Sequence, residues 1–200
     1  MSDENFQTAG WIAIIAGAIF PFAIIIDLMT GAAVATGFED YSIGLSIGDF
    51  FYLAHAAFSI YVYKKFKHLL FEYYSFKKLD IIIEVIIWMY VLFFAGGFIM
   101  EMTLITVLSP TDLGLPLLLL TYYGICIFIF GILDIIFAVM LIKEFNMFGT
   151  PMKVFTILTL IMGLLEISVI LSFLTIFLIP IIFISWAFVF FKEKHEVEFV

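Results

Sequence analysis

No arginine occurs in this chain, only one cysteine does, and the charged residues amount to 13% of the sequence. Each shortage excludes something. A lone Cys126 forbids an intrachain disulfide and any cysteine metal motif. The three histidines, His55, His68 and His195, stand in three separate regions, so a three-histidine zinc site is excluded. No HExxH, nucleophile elbow, Walker A or dinucleotide fingerprint is present, and no catalytic set is assigned. Outside positions 64–78 there is no basic tract with interleaved aromatics, which argues against nucleic acid as a partner. A soluble domain carries about 25% charged residues, well above the share found here.

What the chain has is apolar length. Its mean hydropathy is +1.23, and its long apolar runs predict an all-α integral membrane protein, a bundle of six transmembrane helices. The spans are expected at about 9–34, 43–63, 80–107, 115–142, 154–172 and 174–191, since a crossing takes about 20 apolar residues. The last two come from one run too long for a single helix, with the turn placed near Ser172 to Thr175. Six spans use nearly all of residues 1–200, so one transmembrane domain is expected and any chemistry lies among the helices or at their rims. The N-terminal segment is acidic and lacks lysine, which predicts a retained first helix and no cleaved signal peptide.

Lysine placement orients the bundle. Lys64, Lys65, Lys67, Lys77 and Lys78 lie in the second connection, Lys143 and Lys153 flank the fourth, and Lys192 and Lys194 are in the tail. With six spans and a cytoplasmic N-terminus, every lysine and both termini face the cytoplasm, as expected for a multi-pass protein of the plasma (inner) membrane. Within the second connection, Phe66, Leu69, Leu70 and Tyr73 recur at helical spacing among lysines. This reads as a short amphipathic segment at the inner interface or as the second helix carried on into water. Trp11 and Trp186 read as interfacial anchors. Pro21 and Pro180 fall inside spans, where each removes a backbone bond and kinks its helix.

Several spans carry a polar or small-residue stripe. In the second, Ser42, Ser46, Asp49, Tyr52, His55, Ser59 and Tyr63 follow at intervals of three or four, which forms one ribbon along a helix. Such a ribbon cannot face lipid and must face other helices or a wet cavity. Narrower stripes run through Ala13, Ala16, Phe20, Ala23 and Asp27, through Tyr90, Phe94, Gly97 and Glu101, and through Thr156, Thr159, Gly163 and Glu166.

Acidic residues inside apolar runs are the functional candidates. Counted at about 1.5 Å per residue, Asp27, Asp49, Glu101 and Glu166 lie roughly 5–10 Å below the outer surface, with His55 near the midplane. Asp134 sits apart, nearer the inner side. The leading expectation is an acidic, outward-facing pocket of Asp27, Asp49, Glu101 and Glu166 with His55, binding or moving a cation, proton or small cationic solute. A bound cation is the one cofactor this implies; the lipid bilayer is the partner, and an oligomer is left open. Two rivals are an intramembrane enzyme built on Asp49 and His55, and a non-catalytic subunit or sensor whose carboxyls only bond helix to helix.

Overall fold

The computed structural model describes residues 3–35, 47–100 and 114–197. Among them every long element is an α-helix and no strand occurs. They are α1 (Asp3–Ala35), α2 (Ile47–Tyr74), α3 (Asp80–Val91, carried on through a π-helical turn at Leu92–Gly96), α4 (Gly114–Ile142), α5 (Thr150–Ile167) and α6 (Thr175–Val197). Five of the helical stretches are long and apolar enough to cross a membrane: Phe6–Ile26, Asp80–Met100, Leu117–Ile142, Thr150–Ile167 and Leu171–Lys192. The helix α2 is not among them. It is long enough at 28 residues, but its polar ribbon and terminal lysines lower its hydropathy.

The helices close into a ring. The first packs on α2 and α6, α3 lies between α2 and α4, and α5 lies between α4 and α6. Helices in lipid gain little from the hydrophobic effect between themselves, so close packing must hold them. The small residues supply it. Ala9, Ala13, Ala16 and Ala23 are fully buried on α1. At Gly17 a side chain would meet the Phe183 side chain at 2.8 Å and the Pro180 carbonyl at 3.4 Å, so α1 and α6 touch nearly backbone to backbone. Gly131 and Gly163 do the same for α4 and α5, where an added carbon at Gly163 would lie 2.8 Å from the Gly131 carbonyl oxygen.

One end of the ring gathers the lysines. Lys67 binds Glu84 at 2.9 Å and approaches Asp80 at 4.0 Å, and Lys78 binds Glu144 at 2.5 Å. The Glu84 hydrogen bond holds the Lys67 ammonium above the ordinary lysine range. Phe6 stacks between His68 and Phe190 at this end, and Tyr74 and Phe76 meet Phe148. The segment after Tyr63 proves to be the second helix continued to Tyr74. Phe66, Leu69 and Leu70 are buried in the bundle rather than laid on an interface. The helix stops where Ser75 turns left-handed at φ 50° and the Phe76 amide donates to the Leu70 carbonyl.

Two other expectations are corrected. Trp186 is no interfacial anchor: it is 1% exposed, packed on Tyr63, Phe66 and Phe155 with ring centroids 4.5, 5.6 and 5.1 Å away. A helix that touches α1, α2 and α5 presents this face to the core, whereas an anchor must lie toward lipid. Trp11 and Trp88 are the exposed ones, at 61% and 69%. The turn between the last two helices also comes earlier than expected. The helix α5 ends at Ile167, and the chain reverses through Val169 at φ 50° and a 3-10 turn at Leu171–Leu174. A β-branched residue rarely adopts this left-handed conformation. Here local bonds hold it: the Val169 amide donates to the Glu166 carbonyl and the Ser172 hydroxyl to the Val169 carbonyl. An apolar run carries no sign of such a turn.

Candidate functional site

The middle of the bundle is polar. On α2, His55, Ser59 and Tyr63 are buried on one face, as their spacing requires. The His55 Nδ1–H donates to the Ala16 carbonyl at 3.0 Å. Pro21 lies one turn further along α1, where its missing N–H leaves the Gly17 carbonyl without a helical donor. The bond to Ala16 makes Nδ1 the protonated nitrogen and turns Nε2 into the acceptor. Ser59 stands 3.5 Å from Nε2, but its own proton goes to the His55 carbonyl at 2.8 Å. Phe20, Phe94 and Phe183 wall the imidazole at 4.8, 6.1 and 5.3 Å between centroids.

From α3, Tyr90 brings its hydroxyl to Ser59, and its ring lies 5.7 Å from Tyr63. From α4 comes Asp134, 2% exposed, and from α5 comes Glu166, 9% exposed. The two carboxyls lie within electrostatic reach of each other and of the Tyr63 and Tyr90 hydroxyls. Their meeting follows from the helix crossing. Gly131 and Gly163 touch, and each acid stands three residues after its glycine. The chains run in opposite directions through the crossing. The contacts run from Gly131 to Glu166 and Ile167 and from Gly163 to Ile135, which centres the crossing near Leu133 and Leu165. The acids therefore sit on opposite sides of it, only about 3 Å apart along the axis at about 1.5 Å per residue. Each side chain leans toward the N-terminus of its own helix, so each leans back toward the crossing and toward the other.

Hydrogen bonding in this core is incomplete. Thr156 and Thr159 donate to the carbonyls of Met152 and Phe155, one turn back on their own helix. Glu166 keeps one carboxylate oxygen, Oε2, buried and without a hydrogen-bond partner, and the Trp186 indole Nε1–H is likewise unmatched. An orphaned buried acceptor costs about 1–3 kcal/mol, and more if charged. Among the described residues no lysine forms an ion pair with it; Lys67 and Lys78 hold acids at the lysine end.

Of the expected site residues, His55 and Glu166 are buried. Asp49 is half-buried in the first turn of α2, six residues before His55. At about 100° per residue that offset places it roughly 120° around the helix from the imidazole. Glu101 and the side chain of Asp27 lie outside the described residues. Sequence reasoning set Asp134 apart, and it belongs here. Depth was counted from each helix end, and that count ignores the opposite lean of side chains on antiparallel helices. The signal available was the shared spacing Gly131…Asp134 and Gly163…Glu166.

Toward the lysine end the polar core is closed by aromatic rings. Phe66, Phe137, Phe155 and Trp186 stack with centroids 5.1–6.1 Å apart. Toward the other end, Glu166 is followed within three residues by the left-handed turn at Val169. Among the described residues, no group of three or more His, Cys, Asp and Glu side chains is placed to hold a metal ion. What the arrangement offers is a carboxyl pair with hydroxyl donors and an unfilled acceptor. Comparison of the chain with family models, with curated protein sequences and with solved structures finds no match.

Proposed function

We propose that this protein crosses the plasma membrane six times, with its lysine end and both termini cytoplasmic, and that its buried carboxyls bind or pass a proton or small cation reached from the opposite side. The observation that carries the reading is the buried Glu166 oxygen, within electrostatic reach of Asp134 and, among the described residues, without a hydrogen-bond partner or a lysine ion pair. An intramembrane acid without a basic partner is expensive unless a proton or cation neutralises it. The aromatic layer toward the lysine end and the short turn above Glu166 support access from the far side. Asp27, Asp49 and Glu101 stay within the proposal as acids of the entrance. An enzyme on Asp49 and His55 is disfavoured, because His55 is committed through Nδ1 to a backbone carbonyl and Ser59 keeps its proton on its own helix.

Reconstitution tests the reading. Liposomes containing the protein should dissipate an imposed pH or alkali-cation gradient, followed with an entrapped pH dye and an ion electrode. Glu166→Gln should slow the decay at least about tenfold. Decay no faster than in protein-free liposomes would end the proposal. Topology is read separately. Cys126 is buried, and in a Cys126→Ser background single cysteines at Ser2 and Glu196 should be shielded from an impermeant reagent in intact cells. Those at Thr36 and Thr111 should react. Reaction at Glu196 would remove the sixth crossing.

A further inference from the structure

We infer that Asp134 and Glu166 form one proton-binding site, a carboxyl pair that shares a single proton across the α4–α5 crossing. This deepens the reading above and rests on it: it names the ion as a proton and Asp134 as the second member, a residue that depth alone separates from the other acids. The two glycines hold the backbones so close that the acids cannot move apart without separating the helices. Two buried carboxylates would repel at short range and have no counter-charge, whereas one proton between them leaves a single delocalised anion with a strong internal hydrogen bond.

The surroundings fit a proton better than a metal. The groups within electrostatic reach of the pair are Tyr63 from α2 and Tyr90 from α3, with Ser59 and His55 one and two turns back from Tyr63 on the same face of α2; these are hydroxyls and an imidazole. The residues α6 brings into this core, Trp186 and Ser185, are not titratable, and Ser185 bonds its own helix at 2.7 Å. On the acids' own helices, Cys126 on α4 and Thr159 on α5 are the nearest buried polar side chains along the chain. A divalent ion takes six or more oxygen ligands and a structural zinc four ligands, and among the described residues no such set gathers. Glu166 is the outer member, two residues before the turn begins, and its free Oε2 accepts the arriving proton. Transfer breaks the O–H bond at Glu166 and forms one at Asp134, with the electron pair left on Glu166, so no co-reactant is required.

Infrared difference spectroscopy on the full-length protein in nanodiscs tests this. Wild type should show a protonated-carboxyl C=O band that disappears over a pH titration. Asp134→Asn and Glu166→Gln should each move the band and shift the pH midpoint of the remaining acid by about one unit or more. The double variant should lose the band, and Glu84→Gln should leave it unchanged. Asp134→Glu and Glu166→Asp serve if an amide variant does not fold, and each should keep a displaced band. A band insensitive to both positions would overturn the pair. So would a wild-type band abolished at constant pH by sodium, potassium or calcium, since the ligand would then be a metal cation. The two readings fail separately. Liposome flux without a coupled carboxyl band sinks the pair and leaves transport standing; a coupled band without flux does the reverse.

Discussion

Two sets of acids in this bundle are settled differently. At the lysine end, Glu84 and Glu144 each meet an ammonium group at or near the surface, with Lys67 reaching Asp80 as well. In the middle, Asp134 and Glu166 lie within electrostatic reach of each other and of two tyrosines. Water and salt screen the first set, so each pair contributes about 0–1 kcal/mol. Nothing screens the second, where an unneutralised charge would cost several kcal/mol. The same side-chain chemistry is therefore ornament to stability at one level and, on the proposed reading, calls for a proton or cation at the other.

The sharpest way to break this contrast is to part the helices that create the inner pair. Gly163→Leu should cost the most, because its side chain would meet the Gly131 backbone at 2.8 Å, which cannot yield as a side chain can. We expect a loss above the usual overpacking range of about 1–3 kcal/mol, seen in thermal unfolding in detergent as little or no folded protein. Trp186→Ala comes next, at about 3–5 kcal/mol for an emptied aromatic site, while Trp88→Ala, at an exposed position, should change the melting temperature little.

Asp134→Asn separates charge from shape. Asparagine matches the neutral acid in size and hydrogen bonding, so stability near neutral pH should change by no more than about 1 kcal/mol. A much larger loss would mean that the carboxylate is ionised and held by an unrecognised partner. The smallest effect belongs to the lysine end. Lys67→Met should cost under about 1 kcal/mol, and 1 M salt should remove most of that. The sign with pH is set by the raised Lys67 ionisation. Its contribution is complete below the unfolded lysine value and is lost as pH rises through the folded one, so wild type and variant should converge only in strongly alkaline solution. Convergence near neutral pH would show that Glu84 does not hold the ammonium.

Much of the fold was legible. Helical periodicity assigned much of the buried faces of α1, α2 and α5: Ala13 and Ala16, His55 and Ser59, Thr156, Thr159 and Gly163 are buried, while Phe20, Asp49 and Tyr52 of the same stripes are half-buried. That works because a helix turns a spacing of three or four into a face, and a polar face has nowhere to go but inward. A turn near Ser172 to Thr175 was legible from the length of the apolar run, and a 3-10 turn lies at Leu171–Leu174. The left-handed residue Val169 was not, since a β-branched residue gives no local reason to leave the helix. The interior place of Trp186 was not either, because tryptophan suits an interface and a core equally well.

The sequence by itself determined that the chain is helical, that its lysines keep to the helix ends and connections, and that several acids lie in apolar surroundings without a cation nearby. These are properties of composition and one-dimensional spacing. Only the tertiary structure decided which acids meet. Asp134 and Glu166 are 32 residues apart in the chain and face each other because two glycines let antiparallel helices touch and tilt their side chains toward one crossing point. Sequence spacing describes one helix at a time, whereas a shared proton needs the distance between two.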